Sequence, residues 1–424
     1  MSYTHDFHSG VCQRSMLRNW KRGNWLESPI SKEVYLTTAH SNWPCPDGAM
    51  YDPNNELSIG IEFKPHTETK RGIQTGIGQS LTYLDKFSAS YLIIPKLVEH
   101  YNISGYLTDV FNKKVKGRLP IGLISYDITN DLNIEMLVDI ALNLDFNKSP
   151  HKGSGRYWAK FIDTNPHIVF LALDIASNYS SECDNRKEAI WKEFFDRYYF
   201  PKEQRDTLVP FKSIINHWDK KKMEPFRDKI KKLNQLIDNN EITREEAKQE
   251  LKQHTFKDGK PKLSKSKQND NLYKSYRKNY FTFLDHLQLW DINAYLTPLG
   301  KELYNIGKEY GVGSEQYFNK FAKILLVQGK HYDLIQDITK YSNGLAFDSI
   351  LDARKHVFHK LEEDGLIKRN LNRATEKYRT KFFSMQFQAW TKLGIISGKP
   401  NERYIPGYGF NFNIELIDKI LQSP

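Results

Sequence analysis

The segment from Pro44 to Leu84 groups side chains able to do chemistry. Asp47 sits in a Pro46-Asp47-Gly48 turn, and a short apolar strand ends in Glu62-Phe63-Lys64. Alternation along a strand points Glu62 and Lys64 one way and Phe63 the other. Ile59 and Ile61 share the Phe63 side, which suits a core. Asp47 follows a proline and precedes a glycine, where a backbone turns sharply, and a hairpin can bring it beside Glu62. Two carboxylates and one ammonium at one spot suit a hard cation and a water acting on a phosphodiester. Glu-x-Lys is common on solvated strand edges, so the trio gains weight only from its context. Downstream, Gln79 and Tyr83 fall four apart, on one face of a helix read over 73–87. The glycines of the Gly72–Gly78 run lack the Lys-Ser/Thr ending of a phosphate loop.

Elements must position these groups. Ser31 reads as the cap of a helix holding Glu33, Val34 and Leu36. "SASYLIIP" reads as a buried strand stopped by Pro95, a helical stretch follows from Leu97 to Phe111, and "LPIGLISYDI" is β-rich. This order predicts an α/β core with a mixed sheet. Residues 131–200 read as mainly helical, with Arg156 and Lys160 as packing and solvated positions. Phe226, Ile230, Leu233 and Ile237 form an apolar stripe of a helical hairpin, with Thr243 and Glu246 as a capping box. The lysine-rich stretch after Lys257 reads as a connector or a phosphate-contacting loop. From 271 onward one phrase recurs: an amphipathic helix, a glycine C-cap, then a short strand or turn. Thr297-Pro298-Leu299-Gly300 opens a helix, Gly365-Leu366-Ile367 closes one, and Leu393-Gly394-Ile395-Ile396 follows another. The expected division is therefore 1–205, 206–270 and 271–424.

The chain has 424 residues and a formal net charge of +11, a balance that favours a polyanionic partner. Its three cysteines, Cys12, Cys45 and Cys183, have neither disulfide-framework nor zinc-site spacing. Cys45 reads as a small buried residue. The first ten residues lack the apolar core of a signal peptide, and no run reaches membrane-spanning length. The expectation is a cytoplasmic protein without a membrane partner.

The Asp47, Glu62 and Lys64 set, with Gln79 and Tyr83 beyond it, resembles the PD-(D/E)XK nuclease pattern over about residues 25–130. The recurring C-terminal phrase resembles tandem winged-helix modules, which are built on a helix-turn-helix. Together they resemble a Type II restriction endonuclease with separate catalytic and DNA-recognition domains. The resemblance implies Mg²⁺ held by Asp47, Glu62 and the Phe63 carbonyl. Lys64 then orients the attacking water and offsets phosphate charge, and Gln79, with Tyr83 beside it, gives a supporting contact. Asp52 is a rival to Asp47 for the metal but reads better as a turn residue before Pro53. Glu33, with Glu27 behind it, is the candidate for a third acidic ligand, and His40 is a lone histidine. Arg369, Arg373, Lys377, Arg379, Lys381, Lys399 and Arg403 are the expected DNA contacts. Double-stranded DNA is the implied partner. One catalytic site per chain implies a homodimer at least transiently on DNA. The alternatives are a nuclease of the same fold in repair, recombination or mobile-element defence, and a non-catalytic winged-helix protein. The joint presence of Asp47, Glu62 and Lys64 argues against the last.

Overall fold

The computed structural model describes residues 2–39, 44–128, 133–141, 144, 146, 155–160, 166–179, 185–199, 232–233, 235–237, 239–243, 246–247, 250, 256–257, 260–261, 277–369 and 383–423. In chain order its elements begin α1 (Ser2–Arg22), β1 (Tyr35–Thr37), β2 (Gly48–Asp52), β3 (Leu57–Phe63), α2 (Lys70–Tyr83), β4 (Ala89–Pro95), α3 (Ile103–Lys114), β5 (Ile121–Asp127) and β6 (Asn133–Val138). There follow α4 (Pro166–Asn178), α5 (Arg186–Tyr199), β7 (Phe256–Lys257), β8 (Lys260–Pro261), α6 (Pro298–Tyr310), α7 (Glu315–Val327), α8 (His331–Ser342) and α9 (Ile350–Glu363). The last are α10 (Ser384–Lys392), β9 (Tyr404–Ile405), β10 (Gly409–Phe410) and α11 (Ile414–Gln422).

The chain forms two compact units, each drawing on separated stretches. The first comprises Met1–Ala159, Leu325–Phe383 and Lys399–Phe412. Among the described residues it holds a six-stranded mixed sheet in the order β1-β2-β3-β4-β5-β6. The pairs β3–β4 and β4–β5 are parallel and the outer pairs antiparallel. Parallel neighbours need long crossovers, and α2 and α3 supply them. Both pack on one sheet face, where Ile73, Leu107 and Phe111 bury against Leu92, Ile94 and Leu123. Alternation turns Tyr91 to the opposite face, where Trp20 of α1 meets its ring edge-on at 5.5 Å. Gly122 makes room for that tyrosine, because a Cβ there would lie 2.2 Å from the ring. Lys21 and Arg22 in the last turn of α1 suit the negative end of its dipole.

Three expectations need correction. The helix expected after Ser31 is absent, and Tyr35–Thr37 form β1, paired with β2. Ser31 instead gives both its N–H and its hydroxyl to Asp52, at 2.7 and 2.5 Å. Residues 133–138 are the edge strand β6, not helix. The helix carrying Gln79 spans Lys70–Tyr83, because Thr69 caps it by accepting the Gly72 N–H at 3.1 Å.

The second unit comprises Lys160–Ile324, Ser384–Gly398 and Asn413–Pro424. Thr297 caps α6 with Pro298 in its first turn, the arrangement read from the sequence. Phe170 of α4 stacks on Tyr304 of α6 at 5.6 Å. The Thr243–Glu246 capping box forms, with the hydroxyl accepting the Glu246 N–H at 3.2 Å and the carboxylate accepting the Thr243 N–H at 2.7 Å. Leu233 and Ile237 are buried, while Phe226 and Ile230 lie outside the described residues. No helix among the described residues is long and apolar enough to cross a membrane.

Candidate functional site

The β2–β3 hairpin pairs Gly48 with Ile61, so Asp47 and Glu62 face each other where the ladder opens. The parallel register of Glu62 with Leu92 puts this point at the carboxyl end of the central strands, the usual place for a site in such sheets. The absence of a side chain at Gly48 lets the Gln13 amide of α1 come close: a Cβ would lie 2.2 Å from it. Asp47 Oδ2 accepts the Phe63 N–H at 2.8 Å. Phe63 itself turns away, fully buried and stacked on Tyr126 at 5.1 Å.

Glu62 is 3% exposed, and its two oxygens have different partners. Oε1 lies 2.8 Å from Lys64 Nζ, and Oε2 accepts from the Tyr83 hydroxyl. Lys64 Nζ also donates to Gln79 Oε1 at 2.7 Å. Gly76, Gln79 and Tyr83 recur at helical spacing on α2, which is why one helix face meets both side chains. The Lys64 stem crosses Gly76, where a Cβ would sit 2.6 Å from Lys64 Cε. An ammonium has three N–H donors. Two point at Glu62 and Gln79, and the third can reach a water or a phosphate oxygen.

Burial first, and then the charge of Glu62, push the Asp47 carboxyl up to about 7, against the opposing pull of His5. Burial, followed by Glu62, also raises the Tyr83 hydroxyl, which therefore stays a donor. Burial lifts the Cys45 thiol to about 11, which makes it inert as a nucleophile at neutral pH.

Sequence reasoning missed a histidine. His5, in the first turn of α1, places Nε2 3.2 Å from the Phe63 carbonyl oxygen and 3.9 Å from Asp47 Oδ2. Its Nδ1 faces Asp6 Oδ1 at 3.2 Å, and this bond chiefly raises the His5 pKa. The available signal was the His5-Asp6-Phe7-His8 run on one helical turn.

The remaining candidates are dispersed. Asp52 ends β2 at the other end of the hairpin, where its carboxylate accepts from Ser31, Asn54 and Asn55. Glu33 lies outside α1 and lines a polar cavity of about 420 Å³ with Lys21, Lys32, His359 and Arg369. Lys399 pairs with Glu402 at 2.8 Å, and Arg403 is half-buried. Arg373, Lys377, Arg379, Lys381 and His40 lie outside the described residues. Among the described residues no three His, Cys, Asp or Glu side chains converge as a ready-made metal cluster. Asp47 and Glu62 provide one carboxylate each, and the Phe63 carbonyl provides a third oxygen. No family model matches the chain, and no curated protein matches its sequence.

Proposed function

We propose that the chain is a Mg²⁺-dependent endonuclease of the PD-(D/E)XK kind that hydrolyses phosphodiesters of double-stranded DNA at a defined sequence, as in a restriction-modification system. One observation carries the reading: the Lys64 ammonium is clamped between Glu62 and Gln79, beside a carboxylate, Asp47, that burial leaves short of cationic partners. A structural ion pair needs neither the second amide acceptor nor the extra carboxylate.

The donors suit a hard divalent cation, because all three proposed ligands, from Asp47, Glu62 and the Phe63 carbonyl, are oxygens. Asp47, held partly neutral by its surroundings, ionises readily once positive charge arrives. When bound, Mg²⁺ supplies Lewis-acid stabilisation of the charge that builds on the phosphate. The side chains do the rest. As an ammonium, Lys64 has no lone pair, so it orients the attacking water by donation and offsets charge on the phosphate. Gln79 fixes the ammonium through its carbonyl and keeps its NH₂ for a phosphate oxygen. Tyr83 holds the far oxygen of Glu62.

The net charge of +11 supports a polyanionic substrate. With one such site per chain, cutting both strands calls for two chains acting together on DNA.

The test is incubation of purified protein with unmethylated plasmid and phage DNA plus Mg²⁺, beside Asp47→Ala. Discrete fragments that vanish in the variant are expected. A smear that vanishes in the variant points instead to a repair-type nuclease. DNA binding without cleavage on modified and unmodified DNA alike removes the enzymatic reading.

A further inference from the structure

We propose that His5 is a ligand of the same metal centre, with Asp6 holding its outer nitrogen, so that the centre is a mixed nitrogen and oxygen site. The proposal rests on the reading of Asp47 and the Phe63 carbonyl as metal donors. It adds a side chain from a different element, α1, and a different donor chemistry.

The geometry is that of a shared coordination shell. Donors about 2.1 Å from one cation lie about 3.0 Å apart when adjacent and about 4.2 Å apart when opposite. His5 Nε2 lies 3.2 Å from the Phe63 carbonyl oxygen and 3.9 Å from Asp47 Oδ2, within that interval for both. The ring is also held in place. It packs edge-on against Phe63, with centroids 5.3 Å apart and planes at 74°. Only a group with its nitrogen turned to the end of β3 makes both contacts.

The outer nitrogen is held as well. Metal-bound imidazoles almost always give their second N–H to a carboxylate, carbonyl or water, which fixes the tautomer and raises the basicity of the ligating nitrogen. Asp6 Oδ1 stands 3.2 Å from His5 Nδ1 in that role. Without a cation, Nε2–H donates to the Phe63 carbonyl; a bound metal would take the place of that proton. In the metal-bound state the proton on Nδ1 would stay with Asp6, and the Nε2 lone pair would face the cation.

Two consequences follow. Glu62, whose oxygens are engaged by Lys64 and Tyr83, need not supply the first contacts, which would come from His5, Asp47 and the Phe63 carbonyl. An imidazole donor also shifts preference from Mg²⁺ towards Mn²⁺ and Co²⁺ relative to an all-oxygen site.

The experiment uses Mn²⁺ as the probe on the full-length protein, without DNA. Binding is titrated by calorimetry, and directly bound nitrogen is read by pulsed electron paramagnetic resonance as ¹⁴N coupling. The expected result is Mn²⁺ binding that needs Asp47, with ¹⁴N coupling in the wild type. The coupling should vanish in His5→Gln, with affinity down by about 10-fold or more, and Asp6→Asn should keep the coupling while weakening binding by about 10-fold. Asp47-dependent binding without ¹⁴N coupling in the wild type, or with coupling that survives His5→Gln, overturns the assignment of His5 and leaves the Asp47 site standing. No Asp47-dependent Mn²⁺ binding overturns both. The wild-type spectrum decides the matter even if a variant fails to fold.

Discussion

Helix α1 serves two acidic clusters in the first unit, and they are built on opposite principles. At Arg14 the cluster is closed around Asp337, although burial also raises the neighbouring Asp333 carboxyl. Asp337 takes the guanidinium in fork fashion, at 3.1 and 2.8 Å, and accepts the Tyr157 hydroxyl at 2.6 Å. Nη1 lies 3.8 Å from Asp333 and donates to the Gly10 carbonyl at 3.1 Å. At Asp47 the cluster is open. Among the described residues its carboxylate has one close donor, the Phe63 N–H, and meets His5 at 3.9 Å but no lysine or arginine at salt-bridge distance, while burial and then Glu62 push its pKa up. A buried charge network that only holds a fold needs every acceptor satisfied. The under-compensated carboxylate at the end of a central strand is what motivates the proposed cation site.

The largest expected contrast is in activity. Asp47→Asn should lower DNA cleavage by on the order of 10³-fold or more while leaving the fold intact, since a metal donor should exceed a single oxyanion contact. Single-turnover cleavage together with circular dichroism reads both quantities. Cleavage within about 10-fold of wild type would place the chemistry elsewhere. Arg14→Ala should do the reverse. It strands Asp337 and Asp333 without their cation, and breaking a buried pair this way costs about 3–5 kcal/mol. A denaturant midpoint that moved little, with unchanged slope, would mean that the Arg14 cluster is solvated rather than structural.

The open cluster was more legible in the sequence than the closed one. Strand alternation is local, so Glu62 and Lys64 could be put on one side from four residues of pattern, and helical spacing did the same for Gln79 and Tyr83. Strands β4 and β5 were readable as mostly apolar runs broken only by small or terminal polar residues, as buried parallel strands often are. Arg14, Tyr157 and Asp337 lie far apart in the chain, and no local rule joins them. Strand β1 was misread because Ser31 and Glu33 mimic a helix start, whereas Ser31 is bound to Asp52 twenty-one residues later. Strand β6 alternates weakly and is half exposed, so its pattern resembles a polar helix. His5 was missed because its partner at the site, Phe63, contributes a backbone oxygen, which no side-chain pattern records, and the His5-Asp6-Phe7-His8 run alone does not point to it.

Acid should strike the structural side first. His331 opens α8 two residues before Asp333, wholly buried, with Nε2 2.8 Å from the Ala159 carbonyl oxygen. Burial pushes its pKa down from 6.5 to about 4. Above pH 6.5 the ring is neutral in folded and unfolded chains alike, so it adds no pH dependence. As pH falls from 6.5 to 4 the unfolded chain takes up a proton that the folded one refuses, and stability drops by on the order of 3 kcal/mol. Unfolding free energy measured across this window should fall less steeply in His331→Gln than in the wild type. Parallel slopes would show that the ring is protonated in the fold.

The smallest predicted effect has the sign that best separates the two clusters. The Asp47 carboxyl is raised from 3.8 to about 7, so the folded chain binds this proton more tightly than the unfolded one. The resulting stability is fully present below pH 3.8 and is lost as pH rises through 7. At pH 8, in chelator, the ionised side chain therefore burdens the fold. With this side chain 27% exposed, water screens part of the penalty, leaving about 1–2 kcal/mol. Asp47→Asn keeps an oxygen for the Phe63 N–H and removes the charge, so its Tm should exceed that of the wild type under those conditions. Saturating Mg²⁺ or Mn²⁺ should reverse the order, because a cation that binds only the folded wild type stabilises it by mass action. No substitution at Asp337 should gain stability in this way, because its charge is already matched. A lower Tm for Asp47→Asn in chelator would mean that the Asp47 carboxylate is compensated in the apo protein, and the distinction between open and closed clusters would then fail at its central residue.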